Sequence, residues 1–233
     1  MNTTLIYEGK AKKVFATENP NQVLVEFKDD ATAFNGQKRG QIAEKGVINA
    51  KISAHLFRLL ENHNITTHFV DQLSERVLLV NRLRMVPLEV VVRNIVAGSL
   101  KQRTGLAEGT TLAFPVVELY FKNDELGDPL LNDDHIRAMN LASNDLTSRL
   151  KHEARRINDI LQNYLNDRGL LLVDFKLEFG MADGVLQLGD EISPDTCRLW
   201  DQSTQKKLDK DRFRQDLGGV EDAYHEVAER ILS

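Results

Sequence analysis

The sequence predicts an α+β protein, and three observations carry that prediction. Strand-like runs crowd the first third of the chain, one long amphipathic helix lies beyond its middle, and a charged strand turns back on itself at Asp183-Gly184. Nothing repeats and no Pro/Gly/Ser-rich linker divides the chain, so its 233 residues make one large domain or two joined lobes.

Leu5–Glu8, Lys12–Thr17 and Gln22–Lys28 read as short strands, the last two separated by the turn Asn19-Pro20-Asn21. Ile42, Ile48, Ile52, Leu56 and Leu59 then recur near helical spacing. Strands near Thr67–Leu73 and Arg76–Arg82 complete a small N-terminal lobe, residues 1–84. The larger lobe, residues 85–233, opens with the strand that carries Arg93 and adds Val116–Lys122. A helix follows from about Ser143 to Asp167, with Leu146, Leu150, Ile157, Leu161 and Tyr164 on one side and Gly169 as its expected C-cap. The charged hairpin comes next, and helices near Asp209–Asp216 and Val220–Leu232 close the chain.

Bulk properties exclude several classes of function. A formal net charge of −5 and the lack of a long basic run argue against a general nucleic-acid binder. No apolar stretch approaches a membrane span, and the N-terminus lacks a basic-then-apolar signal pattern. The single cysteine, Cys197, permits no internal disulfide and suits the cytoplasm. The six histidines include no HExxH pair, and one cysteine excludes a zinc ribbon. Lys10, Lys12 and Lys13 surround a turn at Gly9 without a phosphate-loop motif, so alone they read as a solvated basic turn.

The most informative run is Leu172-Val173-Asp174-Phe175-Lys176-Leu177-Glu178-Phe179-Gly180. Along a strand, side chains alternate faces, so Phe175, Leu177 and Phe179 point into a core while Asp174, Lys176 and Glu178 share the other face. Such a row is either a solvated salt-bridge ladder or a site that can hold a metal ion and steer an anion. After the Asp183-Gly184 turn, Leu186 and Leu188 fall on the face of Phe179 and Met181. Simple alternation would put Asp190 on the apolar side, and a bulge at Gly189 is expected to turn it toward Glu178. Two carboxylates across a hairpin, beside a lysine, suit a divalent cation carrying phosphate oxygens, with magnesium the default.

A second run, Val86-Pro87-Leu88-Glu89-Val90-Val91-Val92-Arg93-Asn94-Ile95-Val96-Ala97-Gly98-Ser99, places a lone cation on a mostly buried strand. An unpaired buried charge is costly, so Arg93 needs either Glu89 or an anionic ligand. Ser99 precedes a short helical stretch, Leu100 to Arg103, as an N-cap or as part of an anion site.

These two runs resemble the signature segments of the SAICAR synthetase family. The likeness extends to Tyr7–Lys12, to Asp30–Gly36 (similar to the family's mobile loop), to Gly189–Asp195, to Arg198–Asp201 and to Asp209–Gly219. It implies a two-lobe fold with a kinase-like N-terminal nucleotide-binding lobe and an ATP-grasp-like site between lobes. The implied reaction joins L-aspartate to the carboxylate of CAIR, a carboxyaminoimidazole ribonucleotide, giving SAICAR, ADP and phosphate through an acyl phosphate, with ATP as co-substrate and Mg2+ as cofactor. Lys10, Ala11, Lys12, Val14 and Met85 would meet ATP, with Asn81 to Met85 as the hinge beside adenine. Glu178 and Asp190 would hold the metal and, with Lys176, perform catalysis. Arg93, Ser99, Asp128, Asp174, Lys176, Asp195 and Arg198 would bind CAIR. The Asp30–Lys38 loop, with Lys38 and Arg39, would close over aspartate. A homodimer is left open. Three rivals stay in view: a small-molecule kinase, a ligase for another amine, and a non-catalytic nucleotide-binding subunit. The kinase would release ADP without an amine acceptor, and the other ligase would ignore aspartate. The non-catalytic subunit would lack Lys176, Glu178 or Asp190, which are all present.

Overall fold

The computed structural model describes residues 4–33 and 37–233. Five antiparallel strands form the first sheet: β1 (Leu5–Glu8), β2 (Lys12–Ala16), β3 (Gln22–Phe27), β6 (Phe69–Ser74) and β7 (Val77–Asn81), in the order β1-β2-β3-β7-β6. Along β3 the period is two: Val23, Val25 and Phe27 turn inward. Helix α1 (Lys45–Asn62) covers this sheet, burying Ile48, Ile52, Leu56 and Leu60 against it. Ile42, expected on that helix, is buried just ahead of it.

The expected mobile loop begins within a strand. β4 (Asp30–Ala33) and β5 (Lys38–Gln41) pair as a separate hairpin, while residues 34–36 lie outside the described residues. Thr67, expected to open β6, instead makes a parallel bridge to Leu188. The backbone of His68 donates to Leu188 O at 2.8 Å and Leu188 N donates to Thr66 O at 2.9 Å. These bonds stitch the first sheet to the second.

The second sheet runs β10-β9-β8-β11-β12, built from β8 (Arg84–Ile95), β9 (Thr111–Phe121), β10 (Leu130–Leu131), β11 (Leu170–Ala182) and β12 (Val185–Gly189). The change of sheet falls between Asn81 and Arg84. β11 is the axis. β8 pairs along one edge, and the other edge is shared by β12 at residues 178–182 and β13 (Cys197–Asp201) at residues 170–175. Lys176 N closes the gap between them by donating to Thr196 O at 2.9 Å.

Between β8 and β9 lies the short α2 (Gly98–Thr104), and α3 (Asp133–Ala138) precedes α4 (Asn144–Asn166). The expected start of α4 is present: Ser143 Oγ accepts from Leu146 N at 3.2 Å, satisfying one free amide of the first turn. Leu150, Ile157 and Leu161 of α4 pack on β11 and β8. Gly169, at φ 68, accepts the left-handed turn that starts β11. The expected Asp209–Asp216 helix is one turn, α5 (Asp211–Arg214), and α6 (Val220–Leu232) packs against α1. Phe175, Leu177 and Phe179 belong to a single buried core that spans both sheets, each contributing about 2 kcal/mol by leaving water.

Candidate active site

One cavity of about 1,240 Å³ runs between the sheets, larger than a single small-molecule pocket. Its floor is the polar face of β11. Asp174, Lys176 and Glu178 face it, opposite Arg93, Val91 and Glu89 of β8 in register. The salt-bridge ladder read from sequence is therefore real, but it is buried rather than solvated, with Asp174 and Glu178 each 3% exposed.

Lys176 Nζ donates to Glu178 Oε1 at 2.6 Å and to Glu89 Oε1 at 3.1 Å, and lies 3.7 Å from Asp190 Oδ2. Burial works against its charge, yet the three carboxylates hold its pKa well above the ordinary lysine value. Burial also raises Glu89, with Glu178 adding to it while Lys176 pulls it down. Asp190 reaches this group by its own backbone, not by a bulge at Gly189. The β11–β12 register is unbroken from Glu178↔Gly189, and Asp190 itself turns left-handed at φ 59. An aspartate tolerates that conformation because its short side chain can bond locally. Lys12 of β2 donates to Asp190, and its Nζ lies 2.8 Å from Glu191 Oε1. Burial opposes ionisation at Asp190, but Lys12 and Lys176 bring it well below the usual carboxylate range.

Glu178 and Asp190 thus converge on one ammonium, and Lys122 caps Glu178 from β9's end. Among the described residues no group of three or more His, Cys, Asp or Glu is arranged to hold a metal. A pair of carboxylates beside phosphate oxygens is the donor set magnesium accepts, because it keeps water and substrate ligands. Glu178 and Asp190 fit that requirement.

Four residues along β11, the chemistry changes to paired guanidinium and carboxylate groups. Arg93 donates Nε to Glu118 Oε2 at 2.6 Å and Nη1 to Asp174 Oδ2 at 2.8 Å. Its partners are therefore Glu118 and Asp174, and the expected Glu89 bonds Lys176 instead. Nη2 of Arg93 reaches Ser99 Oγ at 3.0 Å and Tyr120 Oη at 3.1 Å. Ser99 is not an N-cap: Ala97 holds that position, and the Ser99 hydroxyl also accepts from Arg103 Nη1 at 3.1 Å. Arg198 of β13 grips Asp174 through Nη1 at 2.8 and 3.0 Å and Asp211 through Nε at 2.7 Å. Gly98 must be glycine here, since φ is 51 and a Cβ would stand 2.5 Å from Arg198 Nη2.

The remaining expected residues divide. Ala11, Val14 and Met85 line the same cavity with Val25, Val80 and Asn81 to Leu83. Gly180 allows that hinge to come close, because a Cβ there would meet the Leu83 Cβ at 2.6 Å. Lys10 pairs with Asp124 at 2.9 Å on the rim. Asp128 lines the cavity while its Oδ1 accepts from Asn123 N at 2.9 Å, a turn-forming bond. Asp195 also lines it, but its carboxylate is spent inside the protein: Lys45 at 2.9 Å and Lys210 at 3.0 Å share Oδ2, and Tyr224 donates to Oδ1 at 2.8 Å. Burial opposes its charge and the two lysines win, so Asp195 titrates far below an ordinary carboxyl. Sequence reasoning did not single out Lys45, Glu118, Tyr120 or Asp211. The one available signal was Glu118-x-Tyr120, a polar pair at strand spacing on an otherwise apolar run.

The family model for SAICAR synthetase matches residues 5–231. A phosphoribosylaminoimidazole-succinocarboxamide synthase of Chlorobium phaeovibrioides is 58% identical over 230 residues, covering 99% of this chain and 97% of that protein. The crystal structure of the synthase of that name from Ehrlichia chaffeensis superimposes with a TM-score of 0.96 at 46% identity, over 98% of each chain. A SAICAR synthetase solved in complex with ADP gives 0.94 at 51% identity, over 97% of this chain and 96% of that one.

Proposed function

We propose how the cavity divides its work in this chain, which belongs to the SAICAR synthetase family. The protein is an ATP-dependent ligase of purine biosynthesis that joins L-aspartate to the carboxylate of CAIR, giving SAICAR, ADP and phosphate. In the residue roles proposed, the Lys10-Ala11-Lys12 turn meets the phosphates of ATP, and adenine lies by Val14 and the Asn81–Met85 hinge. Arg93, Ser99 and Arg198 take the ribotide phosphate, with Asp174 fixing both arginines. Asp128 supports that end, and Asp195 acts on it through Lys210.

A carboxylate is a poor electrophile, so one of its oxygens must become a leaving group. Transfer of the γ-phosphoryl to a CAIR carboxylate oxygen yields ADP and an acyl phosphate. The amine of aspartate then bonds to the carbonyl carbon, the C–O bond to phosphate breaks, and the amine sheds a proton. Lys176 stabilises the charge that develops on the acyl and phosphoryl oxygens, a task of positioning and electrostatics. Glu178 and Asp190 would hold magnesium, which neutralises phosphate charge when bound.

The observation that carries this reading is Lys176 held by Glu178, Glu89 and Asp190 at one end of a strand whose other end presents Arg93 and Arg198. The proposal extends to the cytoplasm as compartment, where a reduced, buried Cys197 is in keeping. It extends also to a homodimer, supported by the exposed Val70 and Leu73 on edge strand β6 and tested by sedimentation. The deciding experiment measures ADP release with ATP, magnesium, CAIR and L-aspartate, omitting each in turn. Release that needs all four, with SAICAR formed, supports the reading. Full-rate release without aspartate overturns it in favour of a kinase.

A further inference from the structure

Among the described residues His68 is the only buried histidine, and none of the roles proposed for the cavity uses it. It stands where the two sheets are stitched together, and its backbone is engaged at both ends. Its N donates to Leu188 O at 2.8 Å, near the end of β12, and its O accepts from Asn81 N at 2.7 Å, where the hinge begins. The ring meets Phe57 of α1 edge-on, with centroids 5.2 Å apart, and bonds the Asp190 backbone. Nδ1 makes that bond. A Cβ on Gly189 would stand 3.6 Å from Nδ1, whereas Nε2 is buried without a partner.

An orphaned ring nitrogen inside a protein costs free energy. A leucine would fill the place beside Phe57 without that cost, but it has no donor to offer Asp190. Asp190 is the residue in need of one. At φ 59 it occupies the left-handed region, which an aspartate tolerates but does not favour. Returned to extended backbone, it would follow strand alternation and swing its carboxylate toward the apolar face. Lys12 and Lys176 attract the carboxylate, while the imidazole holds the backbone beneath it. Gly189 lets these groups close in, since a Cβ there would press on Leu83 Cδ1 at 3.0 Å.

We propose that His68 is a positioning residue for the acid pair: through Nδ1 it locks the left-handed turn at Asp190 and fixes that carboxylate relative to the hinge. The inference rests on the reading of Asp190 as a metal ligand, and Asp190→Asn, measured in parallel, tells the two apart. Manganese(II), which accepts the same oxygen ligands as magnesium, is titrated into the enzyme with ADP and counted by its EPR signal. In Asp190→Asn the manganese Kd rises about tenfold or more. An unchanged Kd there means that Asp190 holds no metal, and the proposal falls with that reading. Where Asp190→Asn shifts, His68→Leu also raises the manganese Kd about tenfold or more and lowers kcat, with KM for CAIR within about twofold of wild type. Asparagine can place an amide N–H near the position of Nδ1, whereas glutamine places one near Nε2. His68→Asn therefore brings the manganese Kd back to within about threefold of wild type, and His68→Gln does not. A side chain that merely filled space would answer to volume, and the two amides would fail alike. Equal Kd values for the Asn and Gln variants overturn the proposal, as does a wild-type Kd in His68→Leu. Should His68→Leu lose its cooperative melt, the comparison of Asn with Gln decides alone.

Discussion

Lys12 and Asp190 stand 178 residues apart in sequence, yet the ammonium of one donates to the carboxylate of the other across the two sheets. The bond joins the Lys10–Lys12 turn to the acid pair, so the group proposed to meet ATP and the group proposed to hold its metal are set by one contact.

Replacing Asp190 by Asn keeps the left-handed backbone, which Asn also tolerates, and removes only the charge. Turnover should fall by about a hundredfold or more while the melting temperature stays within about 3 °C of wild type. ADP release and a thermal melt check both. Near-wild-type turnover at limiting magnesium would take Asp190 out of the metal pair.

Arg198→Ala should raise KM for CAIR roughly tenfold to a hundredfold and leave KM for ATP within about threefold. The fold survives because Asp174 retains Arg93 and Asp211 retains Arg214. Equal loss for both substrates, measured side by side, moves Arg198 away from the ribotide.

Asp195 carries a pH signature. Its folded pKa is depressed, so its contribution to stability is present above the ordinary carboxyl range and fades as pH drops below it. Asp195→Asn leaves Lys45 buried without its counter-charge and should cost about 3 kcal/mol at pH 7, or roughly 6–12 °C in Tm. The gap between variant and wild type should narrow on going from about pH 5 to about pH 3, read by denaturant melts. A gap that widens there contradicts the assignment.

Burial pushes the Cys197 thiol up to about 12. At pH 8 only about one molecule in ten thousand carries a thiolate, so iodoacetamide should label Cys197 in denaturant and not in the native enzyme. Rapid native labelling, seen by mass spectrometry, would show a more open wall.

Patterns of period two and 3.6 made much of this legible. The alternating run of β11, the Asp183-Gly184 turn and the Ser143 start of α4 each follow from neighbours in the chain, and each appears in the structure. What escaped depends on register between distant strands. Glu118 meets Arg93 because β9 pairs with β8 at Val91↔Glu118 and Arg93↔Val116, a placement no local pattern encodes. Lys45, Asp195 and Tyr224 come from three separate segments, so their union is invisible until the helices pack. Asp190 joins Glu178 at Lys176 through its own positive φ and not through a bulge at Gly189, a local tolerance that side-chain alternation does not encode.

One strand, finally, acts as a gauge. Asp174 and Glu178 sit on the same face of β11, and four residues of extended chain separate them by roughly 13 Å. A strand paired on both edges neither stretches nor coils, so the two ends of the site cannot drift toward a shorter molecule. Under the roles proposed for its two ends, that fixed spacing selects by length as well as by charge: a compound whose anionic tail and carboxylate lie closer together would satisfy one end only.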